Sequence, residues 1–316
     1  YTKEQFVKDV IAGIIVAIIA LPLSIALALA SGVTPEKGIY TAITAGFVIS
    51  FLGGSRVQIA GPTAAFATIV AGIVAKNGMD GLIIATLLAG VILILMGLFR
   101  LGNLIKFIPY TITTGFTSGI AVTILIGQIK DFMGLTIVSE EPLIETMDKL
   151  KAVFQFISTT NLQALLVGVI SLLILIVWQY LPGFCKKIPP SLIAVLVGSA
   201  MVALLNMNVN TIGDLYEISN KLPTISLPSF SLKTVQNVLP DAFTIAILAA
   251  IESLLSCVVA DSMVNSRHRS NMELIAQGAG NITSALFGGI PATGAIARTA
   301  ANVKNGGRTP IAGMVH

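Results

Sequence analysis

Gly288-Gly289-Ile290-Pro291-Ala292-Thr293-Gly294-Ala295-Ile296-Ala297-Arg298 puts one arginine inside an otherwise apolar stretch, directly after a Gly/Pro break. A lone cation at the start of a short apolar helix is costly to hold in lipid, and such a group is usually kept for a ligand of opposite sign. The helix that follows, residues 293–303, has only eleven residues, which is about 16 Å of α-helix. A bilayer's hydrocarbon core is about 30 Å thick. The helix therefore reaches about halfway, and residues 288–292 must cover the rest as extended chain at roughly 3.3 Å per residue.

The same design occurs once more. Arg56-Val57-Gln58-Ile59-Ala60-Gly61-Pro62 alternates like a strand. Pro62-Thr63-Ala64-Ala65-Phe66-Ala67-Thr68-Ile69-Val70 then reads as a helix over about 62–75, with Pro62 suited to its first position. The two prolines, Pro62 and Pro291, are 229 residues apart. Each follows two full-length apolar segments, the sequence sign of an inverted repeat with two discontinuous helices. Extended backbone cannot face lipid with its polar groups unpaired, so the two segments are expected to pair with each other inside the protein. Their helix N-termini would then point at one spot, each offering free N–H groups and about half a positive charge. With Arg298 added, the spot favours an anion.

The composition agrees with a polytopic helical membrane protein. The chain is 55% hydrophobic and 11% charged, with a mean hydropathy of +0.91, where soluble domains carry about 25% charged residues. Apolar segments near the spanning length fall at residues 9–31, 35–54, 80–101, 108–134, 162–182, 190–207, 241–264 and 270–288. Segment one carries Asp9 and lacks a small-residue cleavage site, so no cleavable signal peptide is expected. Cys185 and Cys257 give no disulfide framework, and His268 and His316 are too few for a zinc or haem site. No cofactor or metal is expected, and no nucleic-acid partner.

Basic residues near span ends mark the cytoplasmic side. With the N-terminus inside, eleven fall there: Lys3, Lys8, Arg56, Arg100, Lys106, Lys186, Lys187, Arg267, Arg269, Lys304 and Arg308. Seven fall outside: Lys37, Lys76, Lys130, Lys149, Lys151, Lys221 and Lys233, together with Glu140, Glu141, Glu145, Asp214 and Glu217. This asymmetry predicts a multi-pass protein of the cell (inner or plasma) membrane with a cytoplasmic N-terminus.

Several motifs, in order along nearly the whole chain, resemble the sulfate permease (SulP) family of anion transporters, in its bacterial form. They are Asp9-Val10-Ile11-Ala12-Gly13 with Leu21-Pro22, Ala60-Gly61-Pro62-Thr63, and Ile108-Pro109 with Gly115-Phe116-Thr117-Ser118-Gly119. Further on come Ile251-Glu252-Ser253-Leu254, Val259-Ala260-Asp261 and Asn271-Met272-Glu273-Leu274-Ile275-Ala276-Gln277-Gly278. Pro291-Ala292-Thr293-Gly294, Arg298-Thr299 and Gly306-Gly307-Arg308-Thr309 complete the set.

The resemblance implies an all-α seven-plus-seven inverted repeat with discontinuous helices at spans 3 and 10. A core domain would comprise residues 1–104 (spans 1–4) and 241–316 (spans 8–10 and the start of 11). Half of a gate domain would comprise 105–210 (spans 5–7), and 211–240 would be an extracellular linker. The remaining gate spans and a STAS domain would lie beyond His316, and a homodimer is implied.

Carried onto matching positions, the resemblance seats the anion between the backbone amides of Thr63, Ala64 and Ala65 and those of Ile296, Ala297 and Arg298. Leu23 and Leu27 of span one would close one side. Some animal members have glutamine, phenylalanine and serine where this chain has Leu23, Leu27 and Ala297, so side-chain donors are fewer here, and the backbone amides, the Thr63 hydroxyl and Arg298 would carry most of the coordination.

Glu252 lies about halfway along span eight, where a carboxylate costs a few kcal/mol and is a candidate for taking up and releasing a proton. Ser256 is one helical turn on, on the same face. The resemblance places an acidic residue here in proton- or sodium-coupled bacterial members, with a hydroxyl one turn later aiding sodium. A single glutamate favours the proton. Arg298 could instead be a structural cation paired with Glu252 or with span carbonyls, and Glu252 its static partner. Asp261, near Arg267 and Arg269, reads as a capping or solvated group.

Three weaker expectations concern local structure. Gly115 and Gly119 form a small-xxx-small pair suited to close helix packing. Residues 133–151 read as an amphipathic surface helix. Residues 208–240 read as a polar loop in which Pro223, Pro228 and Pro240 limit helix.

The reading is a secondary active anion transporter, sulfate first with bicarbonate or a dicarboxylate as alternatives, driven by a proton and working by an elevator-like slide. The alternatives are a sodium-coupled bicarbonate transporter and a passive anion channel or motor on the same scaffold. A nucleobase symporter of this architecture would want a carboxylate on helix ten, where this chain has Arg298. An enzyme is not expected, because the spans hold no paired catalytic aspartates, no His-Glu-x-x-His and no Ser–His pair.

Overall fold

The computed structural model spans residues 1–316 and describes all of them except 104–109, 140–142, 144, 179, 182–188, 217–221 and 226. Lys106, Ile108, Pro109, Glu140, Glu141, Cys185, Lys186, Lys187, Glu217 and Lys221 therefore lie outside the described residues.

The elements run α1 (Lys3–Ala30), α2 (Pro35–Leu52), β1 (Ala60–Gly61), a 3-10 turn (Ala64–Phe66) leading into α3 (Ala67–Leu98), α4 (Tyr110–Met133) and α5 (Thr146–Gln155). After a 3-10 turn at Ile157–Thr159 come α6 (Leu162–Trp178), α7 (Pro190–Leu204) and α8 (Ile212–Leu215). The chain closes with α9 (Leu232–Val264), α10 (Ser270–Leu286), β2 (Thr293–Gly294), α11 (Ile296–Lys304) and α12 (Pro310–Val315). Among the described residues, Lys3–Ala30 and Leu232–Val264 are each long and apolar enough to cross a bilayer, and Ala64–Leu98 is so by overall length although Gly78 breaks it in two.

Two compact units result. One comprises Tyr1–Thr117 with Ser219–His316, and the other Ser118–Ile218. In the second, α6 packs against α7. In the first, α10 packs on α3 and α2, and α3 on α9. The α3–α10 crossing is backbone against backbone. A Cβ on Gly90 would sit 2.7 Å from the Gly278 carbonyl oxygen, and one on Gly97 2.6 Å from that of Asn271. Around it Leu82, Ile84, Leu93, Ile245, Leu274 and Ile290 form one buried apolar cluster. Asp9, fully buried in α1, accepts from Arg308 N at 2.7 Å and Thr309 Oγ1 at 2.7 Å, fastening the start of α12 to α1.

Several local expectations are corrected. Close glycine packing falls at the α3–α10 crossing, and among the described residues a Cβ at Gly115 or Gly119 would meet nothing within 4 Å. The first half-helix and the next span are two helices, as expected: the range Ala67–Leu98 breaks at Gly78, whose φ of 66° and ψ of −171° turn the chain between them. The second half-helix begins at Ile296, because Thr293 and Gly294 are strand.

The loop ending at Pro240 is shorter than expected, since α9 starts at Leu232 and runs through that proline. The lost backbone bond is outweighed by apolar burial: Val238, Ala242 and Ile245 are fully buried on one face. Residues 133–151 are not one helix. Gly134 N donates to Asp131 O at 3.2 Å and Leu135 N to Lys130 O at 2.9 Å, closing the end of α4, and Thr146 begins the next helix among the described residues.

Candidate anion site between two half-helices

The two extended segments pair as the sequence requires. β1 and β2 run antiparallel, with Ala60 opposite Gly294 and Gly61 opposite Thr293. Beyond these two rungs, one further main-chain bond and several side chains satisfy the extended backbone. Ile59 N donates to Thr299 Oγ1 at 3.0 Å, Ala295 N to Ile59 O at 2.8 Å, and Asn302 Nδ2 to Val57 O at 2.8 Å. On the other segment, Asn281 acts as a substitute strand. Its Oδ1 accepts from Ala292 N and its Nδ2 donates to Ala292 O, both at 2.9 Å. Ile290 N donates to Thr41 Oγ1 at 2.7 Å, and Ser284 Oγ donates to Ile290 O at 2.7 Å. These buried peptide groups are thereby paired outside any helix.

Each strand leads directly into a helix start. Thr63 precedes the turn that opens the first half-helix and Ala295 precedes α11, and neither makes a side-chain cap hydrogen bond. The first-turn N–H groups at Ala64, Ala65, Ile296 and Ala297 are thus left without side-chain caps. Ile296 and Ala297 are exposed, whereas residues 288–295 are buried.

Arg298 is 2% exposed. Its Nη2 donates to the Pro62 carbonyl, and its Nε and Nη1 have no partner. Gly61 makes room for the guanidinium, since a Cβ there would lie 2.6 Å from Nη1. The structural role weighed for Arg298 is half present: it holds a carbonyl but makes no ion pair with Glu252 within 4.0 Å.

Glu252, half-buried in α9, instead accepts from Thr63 Oγ1 at 3.0 Å. The Thr63 hydroxyl, expected to coordinate the anion, is instead engaged with the carboxylate. Ser256 is fully buried and lies 3.4 Å from Thr299 Oγ1. Leu27 is buried on α1, and Leu23 is 39% exposed. Asp261 is a capping group: its Oδ2 accepts from His268 N at 3.0 Å and lies 2.7 Å from His268 Nδ1.

Sequence reasoning treated Glu252 as the one carboxylate within the spans near Arg298 and missed Glu273. Glu273 is fully buried, with every oxygen occupied. Oε2 accepts from Gly54 N at 2.9 Å and Ser55 N at 3.3 Å, and Oε1 from Gln277 Nε2 at 2.9 Å and Ser253 Oγ at 3.1 Å. Gln58 extends the network, donating to Ser253 O at 3.2 Å and accepting from Cys257 Sγ at 2.8 Å. The signal available in the sequence was the polar run Asn271, Glu273, Gln277, Asn281, Ser284 inside an apolar segment, of which 277, 281 and 284 recur at helical spacing from 273. Among the described residues, no group of three or more His, Cys, Asp and Glu side chains is placed to hold a metal ion.

A family model described as the sulfate permease family matches residues 6–316. The chain belongs to the sulfate permease family. Among its relatives, the putative sulfate transporter YvdB of Bacillus subtilis is 45% identical over 100% of this chain and 59% of its own length. The bicarbonate transporter BicA of Picosynechococcus is 34% identical over 97% of this chain and 55% of its own length. The chain thus spans little more than half of each. The solved transmembrane domain of a cyanobacterial BicA superimposes with a TM-score of 0.86 at 29% identity, covering 100% of this chain and 80% of that one. The helical membrane fold with paired half-helices is therefore that of the sulfate permease family, whose relatives here are named as transporters.

Proposed function

We propose that the protein is a secondary active anion transporter whose substrate sits between the N-termini of the two half-helices. The observation that carries this reading is Arg298: a buried cation with two unpartnered donor nitrogens beside two uncapped helix starts. A buried charge left unsatisfied costs several kcal/mol, and an anion accepting from Nε, Nη1 and the first-turn amides of Ala64, Ala65, Ile296 and Ala297 removes that cost. Leu23 and Leu27 supply an apolar side wall. Sulfate is the first substrate, in keeping with the name of the Bacillus relative.

Glu252 carries the coupling proton. Its bond to Thr63, the residue at the start of the first half-helix, links protonation to the anion's own amides. Residues 1–104 and 241–316 form the moving core and 105–210 part of the gate, in an elevator-like cycle. The protein works as a homodimer in the cell membrane with its N-terminus in the cytoplasm.

A second reading, sodium-coupled bicarbonate transport, is favoured by the 34% identity to BicA and by a hydroxyl at Ser256 one turn after Glu252. Uptake into proteoliposomes of labelled sulfate, bicarbonate and succinate, under imposed pH or sodium gradients, separates the two. Sulfate uptake driven by an inward proton gradient supports the first, and sodium-driven bicarbonate uptake the second. Uptake indifferent to both gradients would refute coupling through Glu252.

A further inference from the structure

A cleft of about 300 Å³ opens where the segment after α2 meets the segment between α9 and α10, with residues 53–56 on one wall and Asp261 and 266–269 on the other. None of its lining residues belongs to the Arg298 site. Arg56, Arg267 and Arg269 stand around it, all exposed. None of their guanidinium groups forms an ion pair within 4.0 Å with a described residue.

The carboxylates nearby pair with none of them, and the one that lines the cleft, Asp261, offsets only one of the three charges. Asp261 is taken by His268 and by Ser266 Oγ at 3.2 Å. Glu273 is turned inward onto Gly54 N, Ser55 N, Ser253 and Gln277. Glu273 and the Arg269 N to Gly54 O bond at 3.1 Å also hold the two walls together, so the cleft is built rather than incidental.

Three arginines without an ion pair and one aspartate line one concavity, so its lining is net positive and favours an anion. Planar N–H forks pair bidentately with the oxygens of a phosphate group, a geometry that a spherical ion such as chloride does not offer. The volume sits at the small end of ligand pockets, about 300–1,000 Å³, enough for a phosphate with a small polar substituent. We propose that this cleft binds a phosphate-bearing anion at a site separate from the transport site. A phosphodiester lipid headgroup and free phosphate share this chemistry.

The test uses the protein at its full natural length in nanodiscs of neutral lipid, with native mass spectrometry and calorimetry as readouts. The probes are inorganic phosphate and dioctanoyl phosphatidylglycerol, each added separately. Binding of either probe, weakened on the order of 100-fold by the triple change Arg56→Gln, Arg267→Gln, Arg269→Gln, supports the site, because each basic residue near an anionic surface contributes roughly fivefold. The probe that binds identifies the source. A control variant neutralises three exposed lysines elsewhere, Lys3, Lys8 and Lys304. Equal loss in that control would show a general surface field and overturn the proposal, as would failure of both probes to bind. The Arg298→Ala variant is expected to bind the probe as wild type does, and loss of probe binding there would also overturn the separate site.

Discussion

Thr63 Oγ1 donates to Glu252 Oε2 across 3.0 Å, so the entry to the first half-helix is tied to the middle of α9, 189 positions away in sequence. One bond thus joins the group proposed to carry a proton to the amides proposed to hold the anion. Glu252→Gln keeps an acceptor for the hydroxyl and loses the titration. Proton-driven uptake by this variant is expected to fall to the level seen without a gradient, while anion affinity by calorimetry changes less than about tenfold, the scale of one hydrogen bond. Uptake that still followed the pH gradient would remove Glu252 from the coupling.

Arg298→Ala deletes two donors that face no protein partner. Charge-assisted hydrogen bonds are worth about 1.5–3 kcal/mol each, so anion affinity is expected to fall on the order of 100-fold or more. The melting temperature should hold or rise slightly, because an uncompensated buried charge is removed. Unchanged affinity with a lower melting temperature would make Arg298 a brace for the Pro62 carbonyl.

Gly61→Ala places a methyl group 2.6 Å from Arg298 Nη1 on a backbone with φ of 157°. The charge remains but must move. Overpacking of this kind costs about 1–3 kcal/mol, so we expect roughly tenfold weaker anion binding with the protein still folded. Wild-type affinity would mean that the position of the guanidinium is not critical.

Glu273→Ala strands four donors that now converge on one carboxylate. Each unsatisfied buried group costs about 1–3 kcal/mol, and the melting temperature is expected to fall by about 10 °C. Glu273→Gln, which retains one acceptor oxygen, should fall between. Anion affinity of the folded fraction is expected to be unchanged, and a selective loss of affinity at wild-type stability would instead bring Glu273 into the binding machinery.

The sequence made the two Gly/Pro breaks, the facing half-helices and the buried Arg298 legible because each is a local contradiction. A helix too short to span must meet something, and extended backbone must find partners. The polar residues that supply those partners were not legible in the same way. Asn281, Thr41 and Thr299 look like ordinary small polar residues in apolar spans until Ala292, Ile290 and Ile59 are brought to them from elsewhere in the chain. Glu273 was hidden for a similar reason. It sits in the first turn of α10, a place where an acidic residue is expected for the helix dipole alone. Pro240 misled because a local rule against proline in helices was applied where tertiary burial of Val238 and Ala242 decides.

The β1–β2 ladder has only two rungs, Ala60 with Gly294 and Gly61 with Thr293. A slip of one residue would turn every side chain on that strand to its opposite face. It would also carry one helix start about 3.3 Å past the other, far more than an anion bridging both could accommodate. The ladder therefore acts as a length gauge. It makes the distance between Pro62 and Arg298 a property of chain pairing rather than of side-chain packing, so residues around the pocket can change while its span stays constant.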